Sequence, residues 1–284
     1  MNHPFSFTQH ELRIPDQHIS YRLYRNNENP CRRLVLLHGA GVDGVDTWHA
    51  VTAFLSEWDE ILVPDLRGCG KTRYPDNTES AFSAAELVQD LEWLVDHIGW
   101  TDFDLAGYSL GGMISLLYKR QHSEKVRKQY LLEPALLDRS CAQSAAELAG
   151  HYRRVLDGLR LSDPQAGAKQ FLDTISPNRK VNPMVEELTI SRLTQRSEGF
   201  IHAINCVVEA LEAYNPEQLI AAQGDVSCLV GALSVDLAHE TQRQLAQRLE
   251  SWHYYMVPGT DHSLPFQKPR QVAKIMNQEL IRFI

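Results

Sequence analysis

The tract Asp104-Leu105-Ala106-Gly107-Tyr108-Ser109-Leu110-Gly111-Gly112-Met113 runs from a short apolar strand through Gly-x-Ser-x-Gly into the start of a helix. A serine hydroxyl is a weak nucleophile until a base takes its proton and hydrogen-bond donors stabilise the oxyanion that forms. A sharp strand-to-helix turn gives the exposure this chemistry needs, and the crowding around it demands small residues where Gly107 and Gly111 stand. Ser109 is therefore the candidate nucleophile. The candidate base is His262, in Pro258-Gly259-Thr260-Asp261-His262-Ser263; of twelve histidines it is the one set in a glycine-containing turn between the last strand and the last helix. A carboxylate lying between them in the chain would complete the order serine, acid, histidine.

Oxyanion donors are expected from two backbone N–H groups. Leu110 follows the nucleophile, and Ala40 lies in the turn His38-Gly39-Ala40-Gly41 that ends the apolar run Arg33 to Leu37, with Gly41 as the alternative to Ala40. A third glycine-bearing loop, Pro64-Asp65-Leu66-Arg67-Gly68-Cys69-Gly70, follows the strand Ile61 to Val63. There, an Asp beside an Arg reads as a brace for the loop.

The elements that must position these groups alternate. Residues 11 to 29 hold two β-like runs, of which Ile19 to Tyr24 has the pattern of an exposed or edge strand in an antiparallel decoration. Helical spacing follows at Asp46 to Trp58 and at Ala84 to Ile98, then the strand before Ser109, the helix after it, and a strand Gln129 to Leu132 ending at Glu133. From about Leu136 to Pro216 only helical patterns occur, including Ala145 to Leu159 and Val185 to Tyr214. The alternation resumes with a strand near Ser227 to Leu233, a helix near Ala238 to Leu249, a strand Trp252 to Val257 and a closing helix from Pro269 to Phe283. The expectation is an α/β core formed by residues 1–135 and 217–284, with residues 136–216 inserted as a helical cap, or lid.

Composition narrows the class of function. With 43% hydrophobic and 23% charged residues in 284, the chain can bury a large core. A net charge of −8 disfavours a nucleic-acid surface, which needs clustered Lys and Arg. No apolar run is long enough to span a membrane, and the first residues lack a secretory pattern, so a cytoplasmic location is expected. Five scattered cysteines form no metal-binding or redox pair.

Four tracts in this order, Leu36 to Gly41, Pro64 to Gly70, Gly107 to Gly112 and Gly259 to His262, resemble the α/β-hydrolase superfamily over nearly all of the chain outside the cap. The resemblance implies a mostly parallel eight-stranded sheet flanked by helices and a helical cap. It also implies Ser109 as nucleophile, His262 as general base, and no metal or organic cofactor. Its acid is displaced. In many relatives an aspartate stands three residues after the glycine that ends the strand Leu229-Val230-Gly231, and that position is Ser234 here. Asp236, two residues on, is the first choice for the triad acid. Glu133 is the alternative, because certain dehalogenases take the acid from the end of the preceding strand.

The function expected is a serine hydrolase acting on an ester or related acyl compound through an acyl-enzyme intermediate, with a small-molecule acyl substrate and a homodimer as a possible assembly. Thioesterase, amidase, carbon–carbon hydrolase and acyltransferase chemistry use the same apparatus. A slow-turnover small-molecule receptor and a catalytically dead interaction module are the competing classes. Epoxide hydrolases and haloalkane dehalogenases of this type normally place an aspartate where Ser109 stands.

Overall fold

Short runs of branched and aromatic residues, each closed by a turn sequence, become the strands of one sheet in the computed structural model, which describes residues 3–26, 31–137, 142–160 and 163–284. In chain order the elements begin with β1 (Ser6–Arg13), β2 (His18–Arg25), β3 (Arg33–Leu37), α1 (Gly44–Thr52), β4 (Glu60–Pro64), α2 (Ala84–His97), β5 (Phe103–Tyr108), α3 (Leu110–Gln121) and β6 (Val126–Leu132). Five helices follow: α4 (Ala142–Arg160), α5 (Pro164–Ile175), α6 (Pro183–Thr194), α7 (Ser197–Ala213) and α8 (Pro216–Ala221). The chain closes with β7 (Val226–Gly231), α9 (Asp236–Arg248), β8 (Trp252–Val257), α10 (Leu264–Gln267) and α11 (Pro269–Phe283).

Among the described residues eight strands form one sheet in the order β1-β2-β4-β3-β5-β6-β7-β8. β1 pairs antiparallel with β2, and β2 antiparallel with β4; from β4 to β8 every pairing is parallel. The central strands are buried on both faces, which is why they read as continuous apolar runs rather than as alternation. One core lies on the α2–α3 side and extends among α4, α5 and α7. A second lies under α1 and α11, around Trp48, Trp58 and Met276.

Several boundaries differ from the sequence reading. β2 is an inner strand, and β1 takes the edge that Ile19 to Tyr24 was expected to occupy, because Ser6 to Arg13 pairs along its whole length. The expected helix Asp46 to Trp58 is α1, which starts at Gly44 under an Asp43 side-chain cap and ends at Thr52. The long helical pattern from Val185 to Tyr214 is two helices, with the chain broken at Gln195 and Arg196. α5 was not foreseen; Asp163 caps it, and Pro164 sits at its first turn, where a missing N–H costs nothing.

Candidate active site

Ser109 stands between β5 and α3 with φ 53° and ψ −113°, a conformation that L-residues with a side chain avoid. Close packing holds it there. A Cβ on Gly107 would lie 2.2 Å from the Gly111 carbonyl oxygen, and one on Gly111 would lie 2.3 Å from the Leu37 carbonyl oxygen. The Ser109 N–H donates to the Leu132 carbonyl at 3.0 Å, and its carbonyl accepts from the Ala135 N–H at 3.2 Å, so the end of β6 and the residues just after it bracket the turn on both sides.

His262 follows β8 in a loop fixed by its own hydrogen bonds. Thr260 donates to the Val257 carbonyl, and Gln267 spends both ends of its amide on Asp261. The His262 Nε2 lies 3.1 Å from the Ser109 Oγ and its Nδ1 lies 3.2 Å from a carboxylate oxygen. That carboxylate belongs to Glu133. With Nδ1–H donated to Glu133, Nε2 is left as the acceptor for the serine hydroxyl.

The first choice of Asp236 as the partner of His262 is thus corrected. Asp236 is exposed and opens α9, where a carboxylate in the first turn complements the helix dipole. Glu133, by contrast, is buried at the end of β6, with φ 49°. Its Oε2 faces His262, while its Oε1 accepts from the Gly231 N–H at 2.7 Å and from the Ser234 hydroxyl at 2.5 Å. Ser234, the position at which the resemblance implied an aspartate, donates to Glu133. The close approach depends on Gly231, since a Cβ there would lie 2.3 Å from the Asp261 carbonyl oxygen.

Ala40 lines the cavity that Ser109 and His262 open into, and Leu110 is the first residue of α3, fully buried behind the serine. His38, one residue from the turn's glycine, has a purely local role. Its Nε2 accepts from the Leu66 N–H at 2.8 Å and its Nδ1 is 2.8 Å from the Gly39 carbonyl, so the ring must be neutral. Burial holds its pKa below the usual histidine value. Asp65 accepts from Arg22, from the Gly44 N–H and from the Lys71 N–H, and Arg67 grips Asp90 and Asp16; both brace the loop, as their spacing suggested.

The cavity holds about 240 Å³. Its apolar wall comes from α5 (Phe171, Leu172, Ile175) and α6 (Val185, Leu188, Leu193), helices of the segment between β6 and β7. Tyr108 forms part of the floor, its ring 5.3 Å from that of His262; burial, with Glu133 and Asp261 nearby, raises its pKa well above the ordinary tyrosine value and keeps the phenol neutral. Burial also raises the Cys69 thiol to about 12, which removes it as a competing nucleophile.

Among the described residues no group of three or more His, Cys, Asp or Glu side chains is arranged to hold a metal ion. No helix among them is long and apolar enough to cross a membrane.

A turn-held serine on a mostly parallel sheet, facing a histidine that follows β8 and a carboxylate that follows β6, defines a hydrolase of the α/β class. Residues 34–275 match the Alpha/beta hydrolase family, and the chain belongs to it. A soluble epoxide hydrolase of Corynebacterium sp. (strain C12) is 26% identical over 113 residues, 40% of this chain and 38% of that protein. A proline iminopeptidase of Clostridioides difficile (strain 630) is 27% identical over 116 residues, 41% of this chain and 39% of that protein. These alignments span about two-fifths of each relative.

Solved structures share the fold along the whole chain. A thermophilic esterase from Thermogutta terrifontis superposes with a TM-score of 0.75 at 21% identity, covering 97% of this chain and 99% of its own. A haloalkane dehalogenase loop variant from Bradyrhizobium elkanii gives 0.74 at 15% identity, covering 98% and 97%.

Proposed function

We propose that this hydrolase cleaves carboxylic esters or related acyl compounds of small molecules, using Ser109 as nucleophile, His262 as general base and Glu133 as the acid that orients it. The observation that carries this reading is the imidazole bridging Ser109 and Glu133 at 3.1 and 3.2 Å. His262 takes the hydroxyl proton as Ser109 Oγ attacks the acyl carbon, and the tetrahedral oxyanion is held by the N–H groups of Ala40 and Leu110. The imidazolium, stabilised by Glu133, protonates the leaving group. Water, deprotonated by the same ring, then releases the acid from the acyl-enzyme.

Epoxide hydrolases and haloalkane dehalogenases appear among the relatives, but the hydroxyl of Ser109 does not suit the alkyl-ester intermediate that a carboxylate nucleophile forms in such enzymes. The absence of a carboxylate at Ser234 raised the receptor reading slightly, and the contact of Glu133 with His262 takes away that increment; repeated turnover is what separates the two readings.

The test is labelling with a fluorophosphonate together with turnover of p-nitrophenyl butyrate. The wild-type chain should label and turn over repeatedly, and Ser109→Ala should do neither. A folded wild-type protein that fails to label would overturn the proposal.

A further inference from the structure

The catalytic cavity has a neighbour. A second cavity of about 260 Å³ lies beyond the Gly41–Val42 turn and shares three wall residues with the first: Val42, Arg192 and Leu193. The two differ in character. The first is mainly apolar away from the triad, whereas the second is rimmed by Asp43, Asp46, Lys71, Arg192 and Arg196.

Most of these charges are already committed. Arg196 donates to Glu79 and to the carbonyls of Gly70 and Thr72, Lys71 Nζ donates to Gln9, and the Asp43 side chain caps α1 through the Asp46 N–H. The guanidinium of Arg192 is different. Among the described residues it makes no hydrogen bond, and the carboxylate recorded against it is Asp46, at 3.8 Å, too long for one.

Arg192 also lies on the stripe of α6 that faces the substrate cavity, following Val185 and Leu188 at helical spacing. Among the described residues no Asp or Glu lines that first cavity. The stripe ends in a guanidinium that makes no hydrogen bond among the described residues and pairs with Asp46 at 3.8 Å, beside the turn that carries Ala40.

We infer that Arg192 reads an anionic group on the substrate, a carboxylate placed a few atoms from the scissile carbonyl, with the polar cavity receiving it. This rests on the hydrolytic reading above and names the substrate class for the same site: acyl compounds with one apolar and one acidic arm. A guanidinium presents two parallel N–H donors to a carboxylate, a geometry that a neutral ester arm cannot use. Asp46 is the built-in competitor. It faces the same guanidinium and repels an incoming anion, so its removal should strengthen recognition.

The experiment compares kcat/KM for the p-nitrophenyl monoester of glutaric acid with that for p-nitrophenyl pentanoate, which lacks the terminal carboxylate. Since Arg192 and Asp46 are half-exposed, the preference of the wild-type enzyme for the acidic ester should be ~10-fold and carried by KM. Arg192→Gln should bring the ratio close to one, Arg192→Lys should restore part of it, and Asp46→Asn should raise it above the wild-type value. The preference should also shrink as salt is added.

A wild-type enzyme that hydrolyses both esters without preference overturns the assignment and leaves the serine-hydrolase reading standing. So does a preference that survives Arg192→Gln. Failure to label with fluorophosphonate and to hydrolyse either ester would sink both readings together.

Discussion

Replacing Glu133 by Gln changes one atom type in a site where every hydrogen bond has a fixed direction. The Gly231 N–H and the Ser234 hydroxyl both need an acceptor, which the amide oxygen of a glutamine can supply in place of Oε1. Its NH₂ then points at His262 Nδ1, which must become an acceptor. The proton moves to Nε2, and the ring can no longer take the proton of Ser109. The expected loss is that of a triad with its imidazole in the wrong tautomer, ~10⁴ in kcat, or about 5.5 kcal/mol, with KM little changed.

Kinetics on p-nitrophenyl butyrate, alongside thermal melting to show that the variant folds, provide the measurement. Asp236→Asn, on the exposed first turn of α9, should stay within about threefold of wild type. Because the Ser234 Oγ lies 2.5 Å from the carboxylate it serves, Glu133→Ala combined with Ser234→Asp should recover a measurable part of the lost rate. Glu133→Gln with activity within tenfold of wild type, or Asp236→Asn with a large loss, would refute the reasoning.

Three further outcomes are expected. Gly111→Ala drives a methyl group to 2.3 Å from the Leu37 carbonyl oxygen, and should abolish fluorophosphonate labelling or prevent folding, read by labelling and circular dichroism. Ser109→Ala should abolish labelling while melting within a few degrees of wild type, since the backbone of the strand-to-helix turn is held by the bonds to Leu132 and Ala135. His38 is buried neutral with its pKa depressed by desolvation, so the unfolded chain binds the extra proton more readily than the folded one. Its contribution to stability should be fully present above about pH 6.5 and decline as the pH falls below it; melting curves from pH 7.5 to 5 should show the decline, reduced in His38→Gln.

The sheet was legible because parallel strands buried on both faces leave continuous apolar runs, and the turn at Ser109 because its glycines are forced by backbone contacts of 2.2 and 2.3 Å. His262 could be picked from twelve histidines by its turn between β8 and α10. The carboxylate that meets His262 was the second choice of the sequence reading. Asp236 is near in sequence to the usual position, yet a helix begins at that residue and carries its side chain to solvent. The signal for Glu133 was its place at the end of the strand Gln129 to Leu132, and the Ser234 hydroxyl donates to that carboxylate. Arg192 left no motif, because its significance arises from the junction of two cavities built from segments over a hundred residues apart in the chain.

The bracket between Ser109 and β6 decides how this centre can come apart. Nucleophile and carboxylate ride on adjacent strand ends, stitched together by the Ser109–Leu132 and Ala135–Ser109 backbone bonds, whereas the imidazole hangs from the rim of β8. The loop that carries the ring is tied to the end of β7 by the Leu233 N–H to Thr260 carbonyl bond at 2.8 Å, so the ring's position is set separately from that of the other two groups. Because one ring carries both contacts, a displacement of His262 would break the Ser109 and Glu133 contacts together.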